Sequence, residues 1–183
     1  MQKLIAAINM SLDGFCDHTL ATADEEIHNH YADLLSTGGV ALYGRVTYQL
    51  MQFWQTLLVK PSGEKSMDEF ALAIDRIPKI VFSRTLKDTG WNTAKLATQS
   101  LEEEVLQLKQ QTGKDIFAGS PSLVAACTQL RLVDEYQICV HPVIAGSGLP
   151  LFKNITDKVP LQLIHTKTFG CGAVTLYYQP AKQ

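Results

Sequence analysis

Val40-Ala41-Leu42-Tyr43-Gly44-Arg45-Val46-Thr47-Tyr48 is the most informative stretch of this chain, because it joins an apolar run to a helix-like pattern through one glycine. The run Val40–Tyr43 is typical of a buried strand. A glycine at such a corner lets the backbone approach a ligand closely. Beyond it, free helix amides, the Arg45 guanidinium and the Thr47 hydroxyl offer a positive end to phosphate oxygens. The stretch is typical of a nucleotide-phosphate site, although an ordinary turn gives the same pattern.

The rest of the chain repeats this alternation of apolar runs and helical patterns. Strands are predicted over Leu4–Asn9, Val40–Tyr43, Ile80–Phe82 and Asp115–Ala118, and helices over Asp24–Leu35, Val46–Phe53, Asp68–Asp75, Glu102–Gln111 and Leu123–Leu130. The predicted helix caps are Asp24, Ser100 and Ser120. Three β-rich runs follow, Tyr136–Val140, Leu161–Thr166 and Ala173–Tyr178. This order predicts a three-layer α/β fold, a mostly parallel mixed sheet with helices on both faces and antiparallel C-terminal edge strands.

Composition limits the classes of protein that the chain can belong to. With 183 residues, 46% of them hydrophobic, we expect a single domain over residues 1–183. A net charge of −2 and the lack of a basic run argue against a nucleic-acid partner. The N-terminus is typical of a first strand rather than a signal peptide, and no apolar stretch is long enough to span a membrane. Four scattered cysteines indicate neither zinc nor disulfides and favour a reducing cytoplasm.

Three corners are expected at one edge of this sheet, Gly44-Arg45, Ser83-Arg84 and Gly119-Ser120. Each is expected to lead from a strand into a helix, and ligands of such sheets bind beyond the carboxyl ends of the strands. Two corners carry an arginine and two precede a free helix N-terminus, which suits a ligand with several phosphates.

The motifs of the chain, taken in order, resemble those of a known superfamily. They are Ser11-Leu12-Asp13-Gly14-Phe15, Gly44-Arg45-Val46-Thr47-Tyr48, Lys79-Ile80-Val81-Phe82-Ser83-Arg84-Thr85-Leu86, Gly119-Ser120, Leu132-Val133-Asp134-Glu135 and Pro142-Val143-Ile144-Ala145-Gly146-Ser147-Gly148-Leu149-Pro150-Leu151-Phe152. The series resembles the dihydrofolate reductase-like superfamily. It is most similar to the branch with the reductase domain of bacterial riboflavin biosynthesis and many small stand-alone proteins.

The resemblance implies an NADPH-dependent reductase and assigns residues to its sites. By resemblance, the pyrophosphate is held by Gly44, Arg45 and Thr47, the adenosine 2′-phosphate by Ser83, Arg84 and Thr85, and the pyrophosphate and nicotinamide side by Gly119, Ser120, Ser122 and Leu123. The loop Ser11–Phe15 would cover the nicotinamide, and the substrate pocket is expected at Asn9, Asp13 and Gly14. The implied activity is hydride transfer to a C=N or C=O group of a small pterin- or pyrimidine-like heterocycle.

Two departures from the family pattern bear on these expectations. Ser120 stands where the family has the second glycine of a pair, so it either weakens cofactor binding or adds a hydroxyl to the phosphate contacts. The stretch Cys16–Leu20 lacks the Pro-Trp of folate reductases, so folate is not the expected substrate.

Several residues have a second interpretation. Arg45 either binds phosphate or pairs with a helix acid, and Asp13 is first a turn residue, with proton donation as the alternative. His141 is expected to be a satisfied histidine at a sheet edge. One of Asp24, Glu25, His28, His30 and Asp33 could serve as a general acid, and no metal site is expected.

Two other classes of function stay open beside the reductase: a non-catalytic dinucleotide or small-molecule binding protein, and a purely structural homodimer. A homodimer is expected in any case, through apolar residues of the β-rich tail that should lie at a sheet edge. These are Ile138, Val140, Leu149, Leu151, Phe152, Leu176 and Tyr178. The alternative is that some of them pack under the chain's own helices. The glycine-rich Gly146-Ser147-Gly148 is expected to bend that edge or to meet the second subunit.

Overall fold

The computed structural model describes residues 1–19 and 23–181. Leu20, the end of the stretch without Pro-Trp, lies outside them. The strands are β1 (Leu4–Ser11), β2 (Val40–Gly44), β3 (Lys79–Phe82), β4 (Ala94–Leu96), β5 (Ile116–Ala118), β6 (Glu135–His141), β7 (Leu161–Thr168) and β8 (Val174–Pro180). Within the described residues they form one eight-stranded sheet in the order β4-β3-β2-β5-β1-β6-β8-β7.

The sheet is mixed and mostly parallel. The six strands from β4 to β6 in this order pair in parallel, whereas β8 is antiparallel to β6 and β7 is antiparallel to β8. The predicted fold class is therefore confirmed. The expectation that Tyr136–Val140 and Ala173–Tyr178 lie at the edge is wrong, because β6 lies between β1 and β8, and β8 lies between β6 and β7. Only Leu161–Thr168 of the three runs is an edge strand.

The helices cover both faces of the sheet. They are α1 (Glu25–Thr37), α2 (Arg45–Met51), α3 (Phe53–Val59), α4 (Lys65–Arg76), α5 (Leu101–Gln110) and α6 (Pro121–Gln129). On β1, Leu4 and Ile8 pack with Val124 of α6, whereas Ile5 packs on the opposite face with Ile74 of α4. Burying each such side chain stabilises the fold by about 1.5–3 kcal/mol. No helix within residues 1–19 and 23–181 is both long and apolar enough to cross a bilayer.

Two of the three predicted caps are confirmed. The Asp24 carboxylate accepts a hydrogen bond from the Ile27 amide at 3.0 Å, which lowers the pKa of Asp24. The Ser100 hydroxyl accepts from the Glu103 amide at 3.3 Å, and the Glu103 carboxylate accepts from the Ser100 amide at 3.0 Å, which completes a capping box. Ser120 precedes α6 but makes no capping bond.

Two short elements had no signal in the sequence. The predicted helix Val46–Phe53 stops at Met51, and a separate helix, α3, begins at Phe53 after Gln52. The three residues of β4 pair in parallel with β3, and a run that short shows no periodicity.

The Ser83-Arg84 corner is not followed by a helix, so that part of the prediction is wrong. The Ser83 hydroxyl accepts hydrogen bonds from the amides of Thr85 and Leu86, at 3.2 and 2.9 Å. This side-chain turn satisfies the amides that a first helical turn would leave free. The chain then passes through a loop to β4.

A buried lysine starts β3. Lys79 is 1% exposed, and its ammonium donates to the Ile77 carbonyl at 2.8 Å and the Thr93 hydroxyl at 2.8 Å, 4.1 Å from the centre of the Trp91 ring. Burial lowers the pKa of Lys79 from 10.5 to about 8.

We therefore expect Lys79 to make stability rise with pH. Between the folded and unfolded pKa values of Lys79 the unfolded chain binds more protons, so the free energy of unfolding increases as pH rises. Urea titrations from about pH 7 to about pH 10 should show wild type gaining on the order of 2 kcal/mol relative to Lys79→Met. Lys95→Met, which changes an exposed lysine, should track wild type. A constant difference between wild type and Lys79→Met would contradict the expectation.

Candidate functional site

The corners after β2 and β5 lie side by side at the carboxyl edge of the sheet. Leu42 of β2 pairs with Ala118 of β5, so Gly44 and Ser120 each lie two residues beyond a paired position. The Gly44 amide donates a hydrogen bond to the Ser120 hydroxyl at 2.9 Å. This bond joins two segments that are 76 residues apart and sets the spacing between α2 and α6.

A glycine is needed at position 44 because a side chain there would be crowded, and not because the backbone conformation is unusual. Its φ of −76° and ψ of 159° are extended values that any residue adopts. A Cβ atom there would lie 3.3 Å from the Ser122 hydroxyl and 3.8 Å from Ser120. A β-branched residue can adopt this backbone as well, so the close approach of the two corners explains the glycine.

Ser120 does not act as the helix cap that the sequence predicts. The side chain is buried, 1% exposed, and its oxygen accepts from Gly44 instead of from α6. Neither α2 nor α6 has a side-chain cap, in contrast to α1 and α5. Two helix N-termini with uncapped amides thus meet at this corner, and such ends attract anions.

Other predicted residues of the corners keep their polar groups in solvent. Arg45 is exposed, and its guanidinium donates to the Gln49 amide oxygen at 3.1 Å, so its charge has no acidic partner among the described residues. Thr47 is half-buried on α2 and Ser122 is exposed on α6. Leu123 is buried in the core, which leaves only its backbone to face a ligand.

The Ser83-Arg84-Thr85 corner lies beside the first one, because Phe82 pairs with Gly44. Arg84 and Thr85 are exposed, and the Arg84 guanidinium makes no hydrogen bond or ion pair within the described part of the chain. Arg45 and Arg84 therefore extend from neighbouring strand ends as two cations without acidic partners. Gly119 completes this edge, and a Cβ atom there would make only ordinary contacts, 3.5 Å from the Tyr43 ring and 3.6 Å from the Ala7 carbonyl oxygen.

Asp13 and Gly14 form a turn that is fastened to another loop. The Asp13 carboxylate accepts from the Ser11 hydroxyl at 2.7 Å, the Ala145 amide at 3.0 Å and the Gly146 amide at 2.7 Å. These bonds lower the pKa of Asp13 to about 2. Asp13 is thus an ionised turn residue and not a proton donor. Gly14 has a φ of +90°, which explains the glycine at this turn.

The glycine-rich loop folds over the end of β1, away from edge strand β7. Three backbone hydrogen bonds join the residues on either side of it to the loop that is expected to cover the nicotinamide. The Leu12 amide donates to the Val143 carbonyl at 2.8 Å, the Cys16 amide to the Leu149 carbonyl at 2.8 Å, and the Leu151 amide to the Gly14 carbonyl at 3.1 Å. The Asp17 carboxylate accepts from the Leu149 amide at 2.7 Å, and a side chain at Gly148 would collide with Asp17. The expectation that Gly146-Ser147-Gly148 bends the sheet edge is wrong, because these contacts place it at the site.

Asn9 lies apart from Asp13, beneath α1. Its amide oxygen accepts from the Tyr31 hydroxyl at 3.1 Å and lies 2.9 Å from the His141 Nε2. His141 is satisfied, as the sequence predicts, but it ends the internal strand β6 rather than an edge. Tyr31 was not predicted as a partner of Asn9. The sequence signal for a polar cluster at this point is that Cys139 and His141 alternate with apolar residues on β6, the strand beside β1.

Three of the five candidate acids and histidines at α1, Asp24, His28 and His30, have structural roles. Asp24 is the cap, and the His28 ring packs edge-on against Trp54, with centroids 5.7 Å apart. His30 packs against Phe169, and burial beside Lys167 lowers the pKa of His30 to about 4. No group of three metal-binding side chains occurs in residues 1–19 and 23–181.

Two cavities flank the sheet. One, of about 250 Å³, lies between α6 and residues 149–154 and includes Ser122 and Lys153 in its wall. The other, of about 330 Å³, lies at the amino ends of β2 to β4, on the edge opposite the corners. The first is continuous with the predicted cofactor residues, whereas the second is remote from them.

The model of the RibD C-terminal domain matches residues 2–175 of the chain. The chain belongs to the RibD C-terminal domain family. This family is a reductase family. Two similar proteins of Bacillus subtilis (strain 168) carry the names uncharacterized protein YyaP, 32% identical over 97% of this chain and 94% of that protein, and uncharacterized protein YwjB, 30% identical over 97% of each.

Solved structures show the same fold. A putative riboflavin biosynthesis protein from Shewanella sp. PV-4 has a TM-score of 0.73 at 17% identity, over 99% of this chain and all of that one. A pyrimidine reductase-like protein from Corynebacterium diphtheriae has a TM-score of 0.67 at 14% identity, over 100% of this chain and 93% of that one. A Thermotoga maritima diaminohydroxyphosphoribosylaminopyrimidine deaminase/5-amino-6-(5-phosphoribosylamino)uracil reductase has a TM-score of 0.69 at 15% identity, over 98% of this chain and 57% of that one. These likenesses confirm the RibD-like, dihydrofolate reductase-like fold.

Proposed function

We propose that this RibD-family protein is an NADPH-dependent reductase that delivers hydride to a C=N or C=O group of a small heterocycle. The observation that carries the proposal is the Gly44–Ser120 corner, where two uncapped helix ends meet beside Arg45 and Arg84. An elongated ligand with separated phosphates suits this arrangement of amides and cations. The free thiols of all four cysteines agree with the expected reducing cytoplasm.

The residues at the corner fit the cofactor. A Cβ at Gly44 would enter the narrow space in front of Ser122, which is the space that a phosphate group needs. Gly44, Arg45 and Thr47 would hold the pyrophosphate with Gly119, Ser120, Ser122 and the Leu123 backbone, and Ser83, Arg84 and Thr85 would hold the 2′-phosphate. NADPH would supply the hydride, while the protein orients the two reactants and excludes water.

The substrate we propose is a pyrimidine- or pterin-like compound. The Thermotoga maritima neighbour is named as a reductase of 5-amino-6-(5-phosphoribosylamino)uracil, whose heterocycle is a substituted uracil. A test is NADPH oxidation, followed by absorbance, with that compound and with 7,8-dihydropterins. Oxidation above the substrate-free rate supports the reductase.

A non-catalytic dinucleotide-binding protein is the second candidate, and one observation favours it. Asp13, the proton-donor candidate named for this site, has a pKa lowered to about 2 by its hydrogen bonds, so its carboxyl is ionised. Tight NADPH binding without turnover of any pterin, pyrimidine or carbonyl compound would support this alternative. A reductase can instead take the proton from water or from the substrate.

We also propose a homodimer, through a different surface from the expected one. Ile138 and Leu151 are buried in the chain's own core, and Val140 and Tyr178 pack against it. In contrast, every residue of edge strand β7 is exposed, and Leu163 lies opposite Tyr178 on β8, beside Leu161. An edge strand with unpaired backbone groups and three exposed apolar side chains, Leu161, Leu163 and Ile164, favours pairing with a second copy.

Leu163→Lys should therefore weaken self-association at least tenfold, because it places a charge in the proposed interface. Analytical ultracentrifugation at low micromolar concentration should show wild type at twice the mass of the chain and the variant shifted toward the monomer. Leu106→Lys, at an exposed leucine of α5, is the control. A monomeric wild type would refute the dimer.

A further inference from the structure

The larger of the two cavities lies at the amino ends of β2 to β4, on the face of the sheet that α5 and α6 cover; we call it the amino-edge cavity. Its volume of about 330 Å³ falls within the range of small-molecule sites, which begins at about 300 Å³. An apolar cavity of about 150 Å³ already holds a benzene molecule. The amino-edge cavity therefore has room for one ring with a polar substituent.

The floor and one wall of the amino-edge cavity are apolar. Val40 of β2 and Ile80 of β3 belong to the core cluster under α5 and α6, and Leu108 of α5 is half-buried beside them. Pro78 adds an exposed apolar ring at the amino edge of the sheet. This surface favours the hydrocarbon part of a ligand, because contact with it removes apolar area from water.

One free cation stands on the opposite wall. Lys95 of β4 pairs with Ile80 of β3, so the two side chains lie on the same face of the sheet. Lys95 is exposed and takes part in no ion pair within residues 1–19 and 23–181. The ammonium of Lys79 is held on the other face, by the Ile77 carbonyl and the Thr93 hydroxyl. None of the described residues that form the wall is acidic, so the cavity favours an anion.

The surroundings of the amino-edge cavity suit a carboxylate better than a phosphate. Phosphate sites in proteins supply several donors, often at a helix N-terminus. Here the helix that borders the cavity contributes Leu108, which lies near the C-terminal end of Leu101–Gln110. A helix C-terminus repels anions, so the negative group of a ligand belongs on the β4 side, at Lys95. One cation there matches one carboxylate charge.

We propose that the amino-edge cavity binds a small aromatic carboxylate. The ring would lie on Val40, Ile80 and Leu108, and the carboxylate would accept a hydrogen bond from the Lys95 ammonium. The exposed Asn92 amide at the rim offers a second donor. This site goes beyond the proposed reductase, because it lies on the edge of the sheet opposite the cofactor corner and needs no dinucleotide.

The experiment uses benzoate as the probe, added to ¹⁵N-labelled protein at millimolar concentration. We expect benzoate to shift the backbone amides of residues 92–95 and to leave those of residues 83–85, at the other edge, in place. Lys95→Met keeps a long unbranched side chain without its charge, so it should bind benzoate about fivefold more weakly. Lys60→Met, at an exposed lysine outside the cavity, and Arg84→Ala, at the opposite edge, should bind benzoate as wild type does.

Two analogues test the parts of the site without any change to the fold. Benzamide keeps the ring without the charge, and acetate keeps the charge without the ring, so wild type should bind each about fivefold more weakly than benzoate. Benzamide should bind equally to wild type and Lys95→Met. Unshifted amides at residues 92–95 would overturn the proposal and would show that the hydrocarbon stem of Lys95 covers the apolar floor by itself. Equal affinities of benzoate and acetate, or of wild type and Lys95→Met for benzoate, would also overturn it.

Discussion

Gly44→Val is expected to abolish NADPH binding while the protein stays folded. The new Cβ would lie 3.3 Å from the Ser122 hydroxyl, and the two methyl groups beyond it would fill the space between the ends of α2 and α6. Because Gly44 has a φ of −76°, valine adopts its backbone without strain. We expect the dissociation constant to rise at least on the order of 100-fold, equivalent to about 2.7 kcal/mol.

NADPH fluorescence titration measures this loss, and circular dichroism with thermal unfolding reports the fold. Gly44→Ala is the graded control: its single methyl group requires only a small movement of the exposed Ser122 side chain, so its loss of affinity should be intermediate. Val46→Ala, at an exposed position in the first turn of α2, should bind as wild type does. A folded Gly44→Val protein with unchanged affinity would show that the cofactor does not bind at this corner.

The sequence predicted those elements that depend on short-range patterns. Asp24 and Ser100 cap helices because their partners lie three residues away, and a local signal of that kind is visible in one dimension. The parallel sheet followed from the alternation of strands and helices. Conversely, β4 was missed because its three residues are too few to show a period.

The features that the sequence could not predict depend on how strands that are distant in the chain pair with one another. The Ser120 hydroxyl satisfies an amide 76 residues away, and a local pattern instead favoured it as a helix cap. The Asn9 and His141 contact spans 132 residues and needs β1 and β6 to be neighbours. The same order of strands buries Ile138 and leaves β7, with three exposed apolar side chains, as the outermost strand. Apolar strand residues do not reveal which strand lies outermost.

The candidate site was predicted only in part, because some of its residues carry a local signal and others depend on contacts between distant segments. Gly44, Ser83 and Gly119 all lie at strand ends, where a glycine or serine after an apolar run is a visible signal, and the structure places them at one edge. The hydrogen bonds from the Ala145 and Gly146 amides to the Asp13 carboxylate join two loops whose sequences show only turns. Because of these bonds, Asp13 is interpreted as an ionised residue that holds the two loops together and not as an acid.

Arg84→Ala is expected to weaken NADPH much more than NADH. Arg84 is exposed at the end of β3, has no acidic partner among the described residues, and lies beside the Gly44 corner through the pairing of Phe82 with Gly44. A charge-assisted bond between its guanidinium and a 2′-phosphate contributes about 1.5–3 kcal/mol, which corresponds to roughly a 10- to 100-fold loss of NADPH affinity. NADH lacks that phosphate, so its affinity should change less than about twofold.

Arg45→Ala is the matched control, because Arg45 is also exposed and free of an acidic partner but lies at the proposed pyrophosphate corner. It should weaken NADPH and NADH equally, since both cofactors carry the pyrophosphate. Calorimetric titrations of the two variants with the two cofactors therefore separate the roles of the arginines. Arg84→Lys should keep the charge but lose the forked geometry, and so fall between wild type and alanine. Equal losses of NADPH and NADH affinity in Arg84→Ala would show that this residue does not contact the 2′-phosphate, and would leave the preference for NADPH without a source at this edge.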